Sequence, residues 1–200
     1  MQMDTITRNT LVLIFSIFFT GCSIKHVVSD DYTQYLNNNE GGYQLPITDL
    51  EAKYLLTPKT VNHSYEFRAA TTGYANLWIV KFGEILEKTL QSKDVQAAFK
   101  KLTKSSDGNS TGTVLIKFNL VDYTFEGFEA RVTLQVSVLK DDQVIFDETY
   151  FEKGKSQGGK MFWAGAFGMK NAIQQSTKNA IDKILARSLD ELMTHNLQSD

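Results

Sequence analysis

Residues 128–139 read FEARVTLQVSVL, an unbroken alternation of apolar and polar side chains as far as Val138. Successive side chains of a strand point to opposite faces. Phe128, Ala130, Val132, Leu134, Val136 and Val138 therefore share one face, and Glu129, Arg131, Thr133, Gln135 and Ser137 the other. A sheet containing this strand has one covered face and one wetter face. The rest of the chain must supply the cover.

Two neighbours of this strand are legible. Residues 114–120 put Val114, Ile116, Phe118 and Leu120 on one face, and Glu126 and Gly127 turn the chain into the alternating strand. Residues 140–143, KDDQ, turn it again into a third strand over 144–151. A further strand is expected at 61–70, with Tyr65 and Phe67 on the same side.

Three stretches carry helical spacing. A helix over 75–90 places Trp78, Phe82, Ile85, Leu86 and Thr89 on one stripe, and a short one follows over 92–102 with Val95, Phe99 and Leu102. A long helix is expected over 168–192, burying Ile173, Thr177, Ala180, Ile181, Ile184, Leu185, Leu189 and Leu192. The predicted order is β-α-β-β-β-α. Two main helices cover one face of a four-stranded, largely antiparallel sheet, a two-layer α+β sandwich over residues 56–200.

The N-terminus has a different character. Residues 11–19 are apolar except for Ser16. As a helix they reach across roughly half a bilayer core, the length of a signal-peptide core and too short for a span. Arg8 supplies a positive charge ahead of them, and Phe19, Thr20, Gly21 and Cys22 follow. Cys22 is the only cysteine, so an internal disulfide is excluded. The expected division is a leader over 1–21, then Cys22 and a polar tether over 22–55, with NNNEGG at 37–42 as its least structured part.

Residues 154–161, GKSQGGKM, match the phosphate-binding loop at Gly154, Gly159 and Lys160, but Met161 stands where that loop needs a hydroxyl to hold Mg²⁺. The stretch also follows an antiparallel meander rather than a parallel strand-helix unit. It reads as a pliable turn, with no nucleotide. Phe162, Trp163 and Phe167 come next, among small residues. They either staple the long helix to the sheet edge or form a loop tip that touches a partner, lipid or glycan strand.

The remaining chemistry is sparse. His26, His63 and His195 have no metal-ligand spacing, and no nucleophile, base and orienter can be assembled. Neither an enzyme, a cofactor nor a metal is expected. The net charge is −2, which is no footprint for nucleic acid.

Phe19-Thr20-Gly21-Cys22 resembles the lipobox of bacterial lipoproteins. The resemblance implies cleavage before Cys22 and acylation there, and Ser23 after it implies the outer membrane, facing the periplasm. Lipobox, tether and β-α-β-β-β-α pattern together resemble small proteobacterial envelope lipoproteins. That group includes the lipopolysaccharide-assembly lipoprotein LptE, YajG-like lipoproteins and auxiliary lipoproteins of lipid-transporting ABC systems. It implies a non-catalytic subunit docked on an envelope protein partner. A carrier of lipid or acyl chains is the alternative.

Overall fold

The computed structural model describes residues 23–157 and 165–196. The chain runs β1 (Ile24–Val27), α1 (Tyr32–Asn38), β2 (Glu51–Leu56), α2 (Pro58–Val61), β3 (Ser64–Phe67), a 3-10 turn (Ala70–Thr72), β4 (Asn76–Lys81) and α3 (Phe82–Leu90). Then follow α4 (Lys93–Gln96), β5 (Lys101–Lys104), β6 (Val114–Glu126), β7 (Glu129–Lys140), β8 (Gln143–Gly154) and α5 (Gly165–Asn196).

The class is α+β, with two sheets in place of the expected single four-stranded one. The larger has the order β5-β2-β6-β7-β8. β6, β7 and β8 form an antiparallel meander, whereas β2 lies parallel to both β5 and β6. The smaller has the order β1-β4-β3, with β1 parallel and β3 antiparallel to the central strand.

The meander keeps the expected facing. Ala130, Val132, Leu134, Val136 and Val138 are buried, and the opposite residues of β7 form the wetter face. On that face Asn119 donates to Gln135 at 3.0 Å and Gln135 donates to Asp147 at 2.8 Å. Phe128 precedes the strand but is partly buried and packs against the same core. It pairs with Gly127 in a two-residue turn, at φ 64° and 60° respectively. Asp141 and Asp142 turn β7 into β8 with φ of 50° and 62°. Both turns have the left-handed pair of residues that matches the twist of the strands they join.

β6 carries a register shift between Leu120 and Asp122. Val121 is thereby exposed, and the buried set changes from Phe118 and Leu120 to Tyr123 and Phe125. Thr60 of α2 fills the irregularity: its hydroxyl accepts from Leu120 N at 2.7 Å and donates to Phe118 O at 3.2 Å. Tyr65 and Phe67 of β3 then pack on Tyr123 and Phe125, with ring centroids 5.4 and 5.2 Å apart. That aromatic contact joins the two sheets.

Residues 75–90, expected to be one helix, are β4 running directly into α3. Trp78, Val80 and Phe82 are all buried at a spacing of two, and Phe82, Ile85, Leu86 and Thr89 continue at helical spacing. Trp78 and Phe82 fit either pattern, which is why the sequence reads as helix throughout. The expected strand over 61–70 is confined to β3, with Val61 in α2, and the helix over 92–102 shortens to α4 before β5 begins.

The segment 22–55 is not a tether over its described length. β1, α1 and most of β2 lie in it, and Val28, Tyr32, Leu36, Leu45, Ala52 and Tyr54 join the core. Polar composition concealed this, because β1 and α1 bury few side chains each and depend on distant partners.

α5 covers β7 and β8 with the whole predicted stripe, from Ile173 to Leu192, buried. Gly154 makes the approach possible. A methyl group there would overlap the Ser176 carbonyl oxygen and stand 2.9 Å from Ala180 N. The first glycine of the apparent phosphate loop is thus a site of close strand–helix packing.

Two predictions follow from this packing. Gly154→Ala forces the helix off the strand and lowers stability by about 1–3 kcal/mol or more, while Lys155→Ala has little effect. Leu134→Ala costs about 2–5 kcal/mol in chemical denaturation and Gln135→Ala far less. Equal losses at Leu134 and Gln135 would contradict the facing of β7.

Candidate functional site

Of the residues the sequence singles out, Cys22, Phe162 and Trp163 lie outside the described residues, as does Lys160. Phe167 is described. It sits in the first turn of α5 with 87% of its surface exposed, while Ala166 and Met169 beside it pack on the core. Phe167 is therefore no staple. The start of the glycine loop is held by the same helix: Lys155 N donates to Asn179 at 3.2 Å and Gln157 N to Gln175 at 2.8 Å. Both amides are thus engaged by side chains of α5 rather than aimed at a ligand.

Among the described residues, a concave region lies between α1 and α5. A cleft of about 370 Å³ has Tyr35, Asn39, Glu40 and Tyr43 on one wall and Lys155, Gln175 and Asn179 on the other. A second cleft of about 360 Å³ continues from Tyr35 and Asn39 past Gln34, Asn38 and Asn171 to Phe167. The lining combines amides and tyrosines with charged side chains.

Asp31 fixes the entry to α1. It precedes the helix but makes no capping bond to it. Its carboxylate instead accepts from Gln174 Nε2 at 2.7 Å and pairs with Lys170 Nζ at 2.9 Å. Burial raises the Asp31 carboxyl, but the Lys170 and Gln174 hydrogen bonds outweigh it and hold it below its ordinary value. Gln174 also donates to Val28 O at 3.0 Å. One face of α5 thereby clamps the end of β1 and the start of α1.

Lys178 and Asp182 form the floor of the first cleft, 2.6 Å apart, with side chains only 7% and 5% exposed. Asp94 stands 3.8 Å from the same ammonium and accepts from Gly41 N at 2.9 Å. Burial pushes the Asp182 carboxyl above its ordinary value, with the attraction of Lys178 opposing it. Burial also drives the Tyr35 phenol up to about 12. The inner hydroxyls are used in pairs, Tyr32 with Thr89 at 3.0 Å and Tyr123 with Thr177 at 2.9 Å. This arrangement neutralises one buried cation with two carboxylates and ties α4, the loop after α1 and α5 together. Lys178 and Asp182 were readable only as an i,i+4 pair flanking Thr177 and Ile181 of the apolar stripe, and nothing in that spacing signals burial.

The histidines stay apart. His26 stacks on Trp78 with centroids 4.4 Å apart, His63 lies edge-on to Phe82 and Tyr123, and His195 is near Phe146. Burial lowers the His63 imidazole, and its Nδ1 is buried without a partner. Among the described residues no three His, Cys, Asp or Glu side chains converge on a metal position.

No family model and no curated protein matches the chain. Solved structures do. Protein XCC0632 from Xanthomonas campestris, described as family-model DUF330, superimposes with a TM-score of 0.51 at 10% identity, covering 78% of this chain and 91% of that one. The two share a fold. The hypothetical protein CT253 from Chlamydia trachomatis aligns over 70% of this chain and 96% of its own at 12% identity, with a TM-score of 0.38 that carries no weight for the fold.

The buried triad gives a sharp expectation. Lys178→Met leaves two carboxylates without their cation and costs about 3–5 kcal/mol. Adding Asp182→Leu regains most of that loss. If the double variant is as unstable as the single one, the cluster is held together by something other than its charges.

Proposed function

We propose that the chain is a lipid-anchored periplasmic accessory lipoprotein at the outer membrane, serving as a non-catalytic docking or assembly subunit of a cell-envelope complex. The leader and Phe19-Thr20-Gly21-Cys22 carry this reading. Several acyl chains on one residue give lasting attachment, where a single chain gives marginal binding. A second support is the pair of polar clefts between α1 and α5, which offer contact surface for a partner. The place among LptE-like, YajG-like and ABC-auxiliary lipoproteins belongs to the same proposal.

Docking is preferred to carriage of an acyl chain because the space between helices and sheets is occupied. Tyr32, Tyr54, Trp78, Phe82, Phe118, Tyr123 and Tyr150 are almost wholly buried there. A carrier would have to displace such rings to admit a chain. Among the described residues no helix is long and apolar enough to cross a membrane.

Cys22→Ser tests the anchor. The variant is expected to lose incorporation of labelled palmitate and to leave the outer-membrane fraction. Cross-linking the wild type in membranes is expected to capture a stoichiometric envelope protein. Undiminished palmitate labelling of the variant would contradict the proposal.

A further inference from the structure

We infer that the end of the domain bearing Ser23, Ile24, Tyr74 and Phe167 is a lipid-facing surface that rests on the bilayer to which Cys22 is attached; this rests on the lipid-anchor reading. The first observation is chain length. β1 begins at Ile24, two residues after Cys22, so at most about 7 Å of extended chain separates the acylated residue from a paired strand. Ile24 N is bonded to Ala75 O at 2.9 Å, and Ser23 Oγ accepts from Arg68 at 3.0 Å. An anchor so close to a fixed strand leaves no slack, and whatever lies around Ile24 meets the headgroups.

The second observation is what lies there. Ile24 is 55% and Tyr74 71% exposed. Tyr74 lies in residues 69–76, AATTGYAN, a connection without a single charge. Arg68 donates to Tyr74 O as well as to Ser23, so one guanidinium braces both sides of the tip. The first turn of α5 belongs to the same end. α5 touches the 3-10 turn Ala70–Thr72, and seven residues separate Phe167 from Gln174, which holds Val28. At 1.5 Å per residue that is about 10 Å, comparable with the about 13 Å from Val28 back to Ile24 along β1. β1 runs with β4 and against β3, β3 follows β6, and α5 runs against β8, so β1 and α5 point the same way. Phe167 therefore stands near the level of Ile24, on the side where it lines the second cleft with Gln34 and Asn38.

The chemistry fits a membrane interface. Exposed Tyr and Phe on uncharged turns, with Lys25 and Arg68 at the margin, is the composition favoured at the headgroup boundary. The opposite end of α5 lies far away. Phe167 to His195 spans about 42 Å of helix, and His195 lies beside Phe146 near the start of β8, where Val144 is 61% exposed. An apolar side chain at that end makes a matched control.

The test uses acylated protein purified from membranes and reconstituted into phosphatidylethanolamine–phosphatidylglycerol vesicles with nitroxide on their acyl chains. Acylation blocks the only native thiol, so Tyr74→Cys, Phe167→Cys and Val144→Cys each offer one site for a fluorescent label. Labels at 74 and 167 are expected to lose most of their emission to the nitroxide lipid, while the label at 144 keeps it. Equal emission at all three positions, with the protein still floating with the vesicles, overturns the surface and leaves the anchor standing. Labelling of Cys22 itself in the wild type shows a free thiol, which removes the anchor and overturns the inference with it.

Discussion

The contact between Gly154 and the Ser176–Ala180 backbone is the constraint on which the remaining packing depends. It brings α5 down onto the end of β8 with no side chain between them. Farther along, Lys183 donates to Lys153 O at 2.7 Å and Arg187 pairs with Glu152 at 2.9 Å, so helix and strand run side by side in opposite directions. Tyr123 reaches Thr177 from the meander. With one side fixed in this way, the middle of α5 offers its other side to α1 and α3, and through Lys178 to Asp94 of α4. Ser176, Lys178 and Asp182 are buried alongside Ile173 and Ile181, so this part of the helix is enclosed nearly all round.

The same helix organises the entry of the chain. Gln174 and Lys170 hold Val28 and Asp31, and the Lys178–Asp182–Asp94 cluster holds the loop that follows α1. A buried ion cluster is weak evidence for stability, because desolvation offsets much of the attraction. Its evident consequence here is geometric: it sets where α1 and α4 sit against α5. The segment next to Cys22 is thereby part of the core structure, and the anchor and the domain form one mechanical unit in the proposed lipoprotein.

The sequence revealed the parts whose partners are local. β7 shows its facing because alternating Val132, Leu134 and Val136 meet neighbours joined by two-residue turns, and α5 shows its stripe because eight positions repeat over about five turns. β1 and β2 are different. His26 and Val27 pair with Trp78 and Ile79, some fifty residues on, and β2 needs both β5 and β6. Strands of four to six residues carry too few alternations to announce themselves, and parallel pairing needs partners far along the chain. α1 buries only Tyr32 and Leu36 among polar residues. Of the candidate site, Phe167 was legible as an aromatic among small residues, but its exposure was not. The cleft was invisible, since Gln175 and Asn179 look like an ordinary solvated helix face until α1 is placed opposite them.

Amide hydrogen exchange over residues 24–56 tests the central claim most directly, that the chain is folded from its second residue after Cys22. Ile24 N and Val28 N donate to Ala75 O and Ile79 O at 2.9 Å, and Ala52 and Tyr54 lie between two strands. The account predicts that Val28, Leu36, Ala52 and Tyr54 exchange as slowly as neighbouring amides of β4 and β6, with Ile24 faster because it ends its strand. Exchange at the rate of an unfolded peptide from residue 24 through residue 45, with β4 and β6 still protected, would contradict it.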